Sequence, residues 1–409
     1  MQRRAVLRSA AALCGSLLGC GREEIPAGRL VVPFWFTYGG RNRTTLETLV
    51  SRFNRAQNEL WVRAIFQGDY FEGLAKLRTA LAAGAAPPLS HVVGEVVPYL
   101  ASSGVLEPLD DYPGAHALRL HPALGQAGSF RGGAERARVV RPFKRATPNA
   151  NPYPGPPPRS WPELEQLARS LSGPGRFGFG CPIDWWFWAA LVGQAGGEVV
   201  EADGQVSLGG DAGVAALGLW QRLVASGSMK RPPGRDYNAW EQLSQDFLAG
   251  RVSMIWSSTA FVRYLEETAG FPVAAEPLPH GVRGAVPTGG THFVLLKSAP
   301  RELKQAAWRF VTYLLSAPSA AYWSSETGYL PVTTEAIHEL EARGFYAQHP
   351  NYRVALDQLS VARAWPWSKG LFRIQREVVQ PRLEAALLLG LDPRQTLDEA
   401  RRVAAEAAP

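Results

Sequence analysis

Cysteine is nearly missing from this chain. Its 409 residues hold three, Cys14, Cys20 and Cys181. Two of these fall within the first twenty positions, so the rest of the chain has no partner for a disulfide. The seven histidines include no pair at metal-ligand spacing, so neither a metal nor a cofactor is expected. Carboxylate pairs such as Asp110-Asp111 lie in loop sequence and define no catalytic geometry, and the remaining Cys181 has no evident partner, so an enzyme is not expected. After the N-terminal stretch, no apolar run approaches the roughly 18 residues of a membrane span. The formal charge is +7, with Arg3, Arg4 and Arg8 near the start contributing three positive charges, and no basic run resembles a nucleic-acid footprint. No internal repeat is visible.

What remains is a globular composition, 46% hydrophobic with 13 tryptophans, on a chain long enough for two or three domains. Residues 1–20 read as an export signal: Arg3 and Arg4 form a charged head, an apolar stretch runs from Leu7 to Leu18, and Leu17-Leu18-Gly19-Cys20 resembles a bacterial lipobox. Cys20 is then the expected lipidated residue, residues 21–28 a polar tether, and the location the cell envelope, with the chain lipid-anchored on the periplasmic or extracellular side. Arg3-Arg4-Ala5-Val6-Leu7-Arg8 fits either a twin-arginine signal or an ordinary secretory head.

Beyond the tether, hydrophobic periodicity predicts strands over 29–35, 61–66 and 89–93. Between them it predicts one helix with Leu46, Leu49, Val50 and Phe53 on one face and another marked by Leu74, Leu77 and Leu81. Strand and helix alternating at this spacing imply parallel pairing in an α/β lobe. Residues 125–160 are a break rich in Gly, Arg and Pro. Ser160-Trp161-Pro162-Glu163 is a capping box that opens the next helix. There follow the aromatic run Trp185-Trp186-Phe187-Trp188, a hairpin at 202–204, helices near 213–226 and 237–249, and a strand over 252–256 that ends in Ser257-Ser258-Thr259. Gly289-Gly290 leads into a strand over 291–296, and a helix is expected over 301–315. The stretch Ser325-Glu326-Thr327-Gly328-Tyr329-Leu330-Pro331 then closes a helical pattern on a glycine. Taken alone, it is a helix C-cap with a buried tyrosine.

That turn, with Gly344-Phe345-Tyr346, Pro366-Trp367-Ser368-Lys369-Gly370, Gly68-Asp69-Tyr70 and Pro33-Phe34-Trp35 in the same order, resembles the type 1 family of extracellular solute-binding proteins of ABC importers. Within it the motifs are most similar to the members that bind sn-glycerol 3-phosphate. The resemblance implies an α/β, two-lobed periplasmic-binding-protein fold of type II, maltose-binding-protein-like, with three interlobe crossovers. These are expected near 139–142, 273–276 and 315–318, giving lobe one as 29–138 plus 276–315 and lobe two as 142–273 plus 318–409. It implies a small-molecule ligand, glycerol 3-phosphate or a glycerophosphodiester, held between the lobes and passed to the permease by a monomer. A neutral sugar or oligosaccharide is the alternative, favoured by the tryptophans.

Carried over by motif, the implied ligand contacts are Tyr70, Glu95, Ser258, Gly290, Tyr329 and Arg376, with Arg373 an alternative to Arg376. The residue types suit the chemistry: arginine gives a paired-donor contact to phosphate, glycine exposes backbone N–H, hydroxyls add donors, and Glu95 accepts from glycerol hydroxyls. Each also has a plainer role. Glu95 and Ser258 can cap helices, Gly290 can be only a turn, and Arg376 can be a solvated helix charge. Trp185 and Trp186 are core or aromatic wall and stay outside the expected site. The chain departs from the sn-glycerol 3-phosphate-binding members at Ala146, where they have a serine, and Lys144 and Arg145 stand nearby. It departs again at 149–156, too short for the strand and helix expected before Pro157.

Overall fold

The computed structural model describes residues 25–125, 129–132, 135–138, 147–150, 156–230, 237–363 and 370–407. Cys20 and the export signal, the crossing expected at 139–142, Lys144, Arg145, Ala146 and the 366–369 part of the C-terminal motif lie outside the described residues.

Three strands, β1 (Leu30–Phe36), β2 (Leu60–Phe66) and β3 (Leu89–Val93), pair in parallel with β1 in the middle, as the alternating spacing requires. The helix between the first two, Gly40–Ala56, buries Leu46, Leu49, Val50 and Phe53, one face at helical spacing. After a short antiparallel hairpin, β4 (Ser129–Gly132) and β5 (Glu135–Arg138), the chain builds a second sheet. Its strands are β6 (Thr147–Ala150), β7 (Phe177–Gly180), β8 (Val252–Ser257) and β9 (Ala274–Ala275), in the order β7-β8-β6-β9. β10 (Val286–Pro287) precedes β11 (Thr291–Leu295), which returns to the first sheet antiparallel to β3. β12 (Ala362–Arg363) runs parallel beside β10. Each sheet has its own core. One gathers Phe34, Phe36, Leu46, Phe293 and Phe310, and the other gathers Phe179, Trp188, Trp220, Trp256 and Leu383. At roughly 1.5–3 kcal/mol per large apolar side chain buried, each cluster is enough to define a lobe. Among the described residues no helix is long and apolar enough to cross a membrane.

The packing differs from the sequence expectation in two places. The stretch read as too short for a strand and a helix does hold a strand: β6 starts at Thr147, takes in Pro148 opposite Trp256, and runs antiparallel to both β8 and β9. In so short a strand a proline forfeits at most one ladder hydrogen bond. The crossovers are also displaced from 273–276 and 315–318. Leu278 and Val286 still belong to the second core and Phe293 to the first. Leu359 belongs to the first core and Leu371 to the second, so the chain passes between cores at 286–293 and 359–371, where β10 and β12 lie side by side. Residues 318–359, expected in lobe two, bury Trp323, Tyr329, Leu330 and Val332 in the first core. They also bond to the second lobe's margin: Asn351 donates to the Val273 carbonyl and accepts from Ala275 N–H, and Gln358 accepts from Leu278 N–H. Periodicity marks these helices as amphipathic but cannot say which core takes the apolar face.

Candidate binding cleft

Between the lobes is a cavity of about 290 Å³. From the first lobe it is lined by Tyr70, Phe71, Val93 and Glu95, and at the crossing by Gly289 and Gly290. Residues 182–186, Trp240, Phe372, Gln375, Arg376 and Gln380 line it from the second lobe. A wider chamber of about 910 Å³ shares the Tyr70 wall and continues past it along Thr37–Asn42 and Phe261.

The first-lobe wall follows from how strands end. After β2 the chain turns through Gly68, and Asp69 caps the helix Tyr70–Ala82 by accepting from Phe71 N–H (2.8 Å) and Glu72 N–H (2.9 Å). With the first turn so fixed, the rings of Tyr70 and Phe71 stand at the lip of the lobe. After β3, Glu95 sits in the one-turn 3-10 helix Gly94–Val96. The residues that precede that turn and the helix Val97–Ser102, Val93 and Val96, supply no side-chain cap. Gly94 N–H donates to the Gly290 carbonyl at 2.8 Å, tying the Glu95 turn to the glycine pair.

The second-lobe wall is a polar frame filled with indoles. Asp184 caps the helix Trp185–Gln194, accepting from Trp186 N–H at 2.6 Å with one oxygen and from Trp240 Nε1–H at 3.4 Å with the other. Gln380 accepts from Trp185 N–H at 3.0 Å and donates to the Ile183 carbonyl, so the loop before the helix is held at both ends. Trp186 and Trp240 lie 5.9 Å apart, and Trp240 stacks on Phe261. A Cβ on Gly289 would come within 2.6 Å of Trp186 Nε1, so the close approach of this indole to the crossing strand requires glycine there.

Arg376 lies in a π-helical turn, Gln375–Val379. In a regular α-helix residues five apart diverge by about 140° at 3.6 residues per turn. The wider π turn brings Gln375 and Gln380 to the same wall with Arg376 between them. Arg373 is instead paired with Glu377 at 2.8 Å. Among the described residues no carboxylate pairs with Arg376. Its guanidinium carbon lies 3.7 Å from the centroid of Phe71, across the cleft.

The structure therefore brings four of the six expected residues, Tyr70, Glu95, Gly290 and Arg376, to one cavity. The other two stand behind the wall. Ser258 is fully buried at the end of β8, and its hydroxyl accepts from Ala260 N–H at 3.2 Å, the N-cap role. Tyr329 is 1% exposed and packs edge-on against Trp323 (5.6 Å) and Tyr38 (5.8 Å), the buried tyrosine of the plain reading. Trp186, outside the expected site, is part of the wall, and an aspartate before an apolar helix start marks its cap. Asp184, Trp240, Phe71, Gln375 and Gln380 line the cavity without being among the expected residues. Gln375 and Gln380 have no sequence signal, since nothing in a helical pattern announces a π turn. Among the described residues no three His, Cys, Asp or Glu side chains converge as metal ligands.

Residues 48–353 match the model of the family described as bacterial extracellular solute-binding protein. The chain is 22% identical over 401 residues to the sn-glycerol-3-phosphate-binding periplasmic protein UgpB of Salmonella typhimurium, with 90% of each chain covered. It is 23% identical over 396 residues to the protein of that name from Yersinia pestis, again with 90% of each covered. Among solved structures, UgpB from Mycobacterium tuberculosis in complex with glycerophosphocholine aligns with a TM-score of 0.81 at 26% identity, covering 93% of this chain and 98% of that one. Maltose-bound MalE3 of T. maritima aligns with a TM-score of 0.78 at 19% identity, covering 92% and 99%, which bears on the fold alone. The fold is thus the two-lobed, maltose-binding-protein-like one that the motifs implied. The chain belongs to the bacterial extracellular solute-binding proteins, which bind a small molecule and deliver it to the permease of an ABC importer.

Proposed function

We propose that the solute is a small phosphorylated polyol, glycerol 3-phosphate or a glycerophosphodiester, bound by Arg376 with Tyr70, Glu95 and Gly290. The observation that carries this reading is Arg376 itself: a guanidinium on the wall of a small interlobe cavity, paired with no carboxylate among the described residues, while its neighbour Arg373 is paired. Its fork of donors matches two phosphate oxygens. Glu95, on the opposite lobe, accepts from the polyol hydroxyls, and Gly290 lets an oxygen approach the backbone. Relatives named for sn-glycerol 3-phosphate support the same class. Cys20 carries the lipid that holds the exported chain at the membrane.

Ligand present at 100 times its Kd adds about 2.7 kcal/mol to the stability of the bound form, seen as a rise of a few degrees in Tm. A melting panel of glycerol 3-phosphate, glycerophosphodiesters and disaccharides tests the reading directly. No rise with any glycerol phosphate would sink it. Arg376→Ala is expected to weaken phosphate binding at least about 10-fold, the loss of a charge-assisted contact, with Arg373→Ala near wild type.

The indoles of Trp186 and Trp240 on the cleft wall favour a second reading, a neutral sugar or oligosaccharide stacked on aromatic faces. Binding of a disaccharide that is indifferent to Arg376→Ala would select it.

A further inference from the structure

Phe71 is a large apolar ring left 36% exposed, at the second position of the helix Tyr70–Ala82. It is aimed at the other lobe. Its ring stacks on Phe372 with centroids 6.3 Å apart and planes 28° from parallel, and the Arg376 guanidinium lies over it at 3.7 Å. Phe372 is 5.9 Å from the same guanidinium, so the cation meets one ring from each lobe. The Asp69 cap holds Phe71 in place from below through the 2.8 Å bond to its N–H.

A contact of this kind occupies the flat face of a guanidinium and leaves its N–H donors, which lie in the plane at its edge, for an anion. It also removes rotamer freedom that an exposed arginine would otherwise lose on capturing a ligand. We propose that Phe71 is a positioning residue for Arg376: a ring on the first lobe holds the cation of the second lobe in the cleft before the solute arrives. This rests on Arg376 being the anion-binding group. Because ring and cation sit on different lobes, whatever brings the lobes together also orients the cation. The ring can be tested cleanly, since it is not part of either buried core.

Two measurements on the full chain decide the matter. The first is the Arg376 side-chain Nε–H resonance without ligand, assigned by its loss in Arg376→Lys. Ring current from Phe71 shifts it in the wild type and in Phe71→Tyr, and Phe71→Leu, which keeps apolar bulk without a π face, should return it towards the position of exposed arginines. The second is a calorimetric titration with glycerol 3-phosphate. Phe71→Leu should weaken binding about 3–10-fold, the scale of a cation–π contact. Phe71→Tyr should stay within about 2-fold, and the ligand-free melting temperatures of both should match the wild type. An Arg376 resonance unmoved by Phe71→Leu overturns the proposal, as does an unchanged affinity beside a moved resonance, or an affinity loss that merely tracks a lower melting temperature. If the wild type takes no glycerol 3-phosphate, the reading of the ligand fails, and the resonance alone decides whether Phe71 positions the cation.

Discussion

At Gly68-Asp69-Tyr70 the chain enters a helix, and at Thr327-Gly328-Tyr329 it leaves one. Both glycines have positive φ, 91° and 79°. Both tyrosines follow from the same family likeness, yet they end in different surroundings: Tyr70 lines both interlobe cavities, while Tyr329 is buried beside Trp323 and Tyr38. The direction of travel decides this. At a helix start the cap pins the backbone and the first side chains project from the end of the lobe, here into the cleft. At a helix end, Gly328 N–H closes on the Ser324 carbonyl at 3.0 Å and the reversal folds the next residue back under the helix it left, into the core. A glycine–tyrosine pair names a turn; which side of the wall the ring occupies depends on what the turn joins.

The sharpest way to break this comparison is to remove each ring. Tyr329→Ala empties a fully packed site and should destabilise the chain by about 3–5 kcal/mol, as for other large buried aromatics, seen as a lower urea midpoint. Tyr70→Ala should shift that midpoint little and act on ligand affinity. If Tyr329→Ala leaves stability intact and abolishes binding, Tyr329 belongs to the cleft after all. The glycines should rank the same way. A Cβ on Gly328 would meet the Thr259 carbonyl oxygen at 2.3 Å, and backbone cannot yield, so Gly328→Ala should cost about 2–4 kcal/mol from clash and φ strain together. A Cβ on Gly68 would meet chiefly the far end of the Glu72 side chain, which can move, leaving about 1–2 kcal/mol of φ strain. Equal midpoints for the two variants would refute the ranking.

Much of the fold was legible because alternation and periodicity are local. β1, β2, β3 and the helix Arg301–Leu315 lie within a residue or so of where the sequence puts them. The capping box at Ser160 forms too, although the Glu163 carboxylate accepts from Arg159 N–H at 2.8 Å, one residue earlier than the motif prescribes. The choice of core was not legible. An amphipathic helix such as Thr334–Ala342 states that one face is buried, not against which sheet. In the cleft, Tyr70, Glu95 and Gly290 sit just past strand ends and at turns, whose backbone the motif encodes, while Arg376 is a helix residue that only the family likeness picks out. Those missed, such as Phe71, Trp240 and Gln380, are ordinary helix positions that become a wall only when the lobes face each other.

If the cap is what turns Tyr70 and Phe71 outward, Asp69 should matter to both stability and binding. Asp69→Ala removes an acceptor from two N–H groups and should cost about 0.5–2 kcal/mol. It should also weaken ligand binding, because both rings lose their anchorage. Asp69→Asn keeps an acceptor oxygen and should recover most of each effect. Should Asp69→Ala lose stability with affinity unchanged, the cap holds the helix but does not aim the rings.

The smallest effect should come from the charges around the second turn. Glu326 lies 3.6 Å from both Arg41 and Arg263, which also share Glu267 at 2.5 and 2.8 Å, and Arg263 donates to the Ser325 carbonyl at 2.8 Å. These side chains are 30–45% exposed, so solvent screens them and removing one carboxylate leaves the other to serve both arginines. Glu326→Gln should therefore change stability by less than about 0.5 kcal/mol at physiological salt, and more at low ionic strength, where screening weakens. The contrast with Gly328→Ala, two residues away, is what makes the measurement useful. A large loss that ignores salt would mean that ion pairing, not packing against Thr259, fixes the end of the helix, and Tyr329 would owe its burial to charges at the surface.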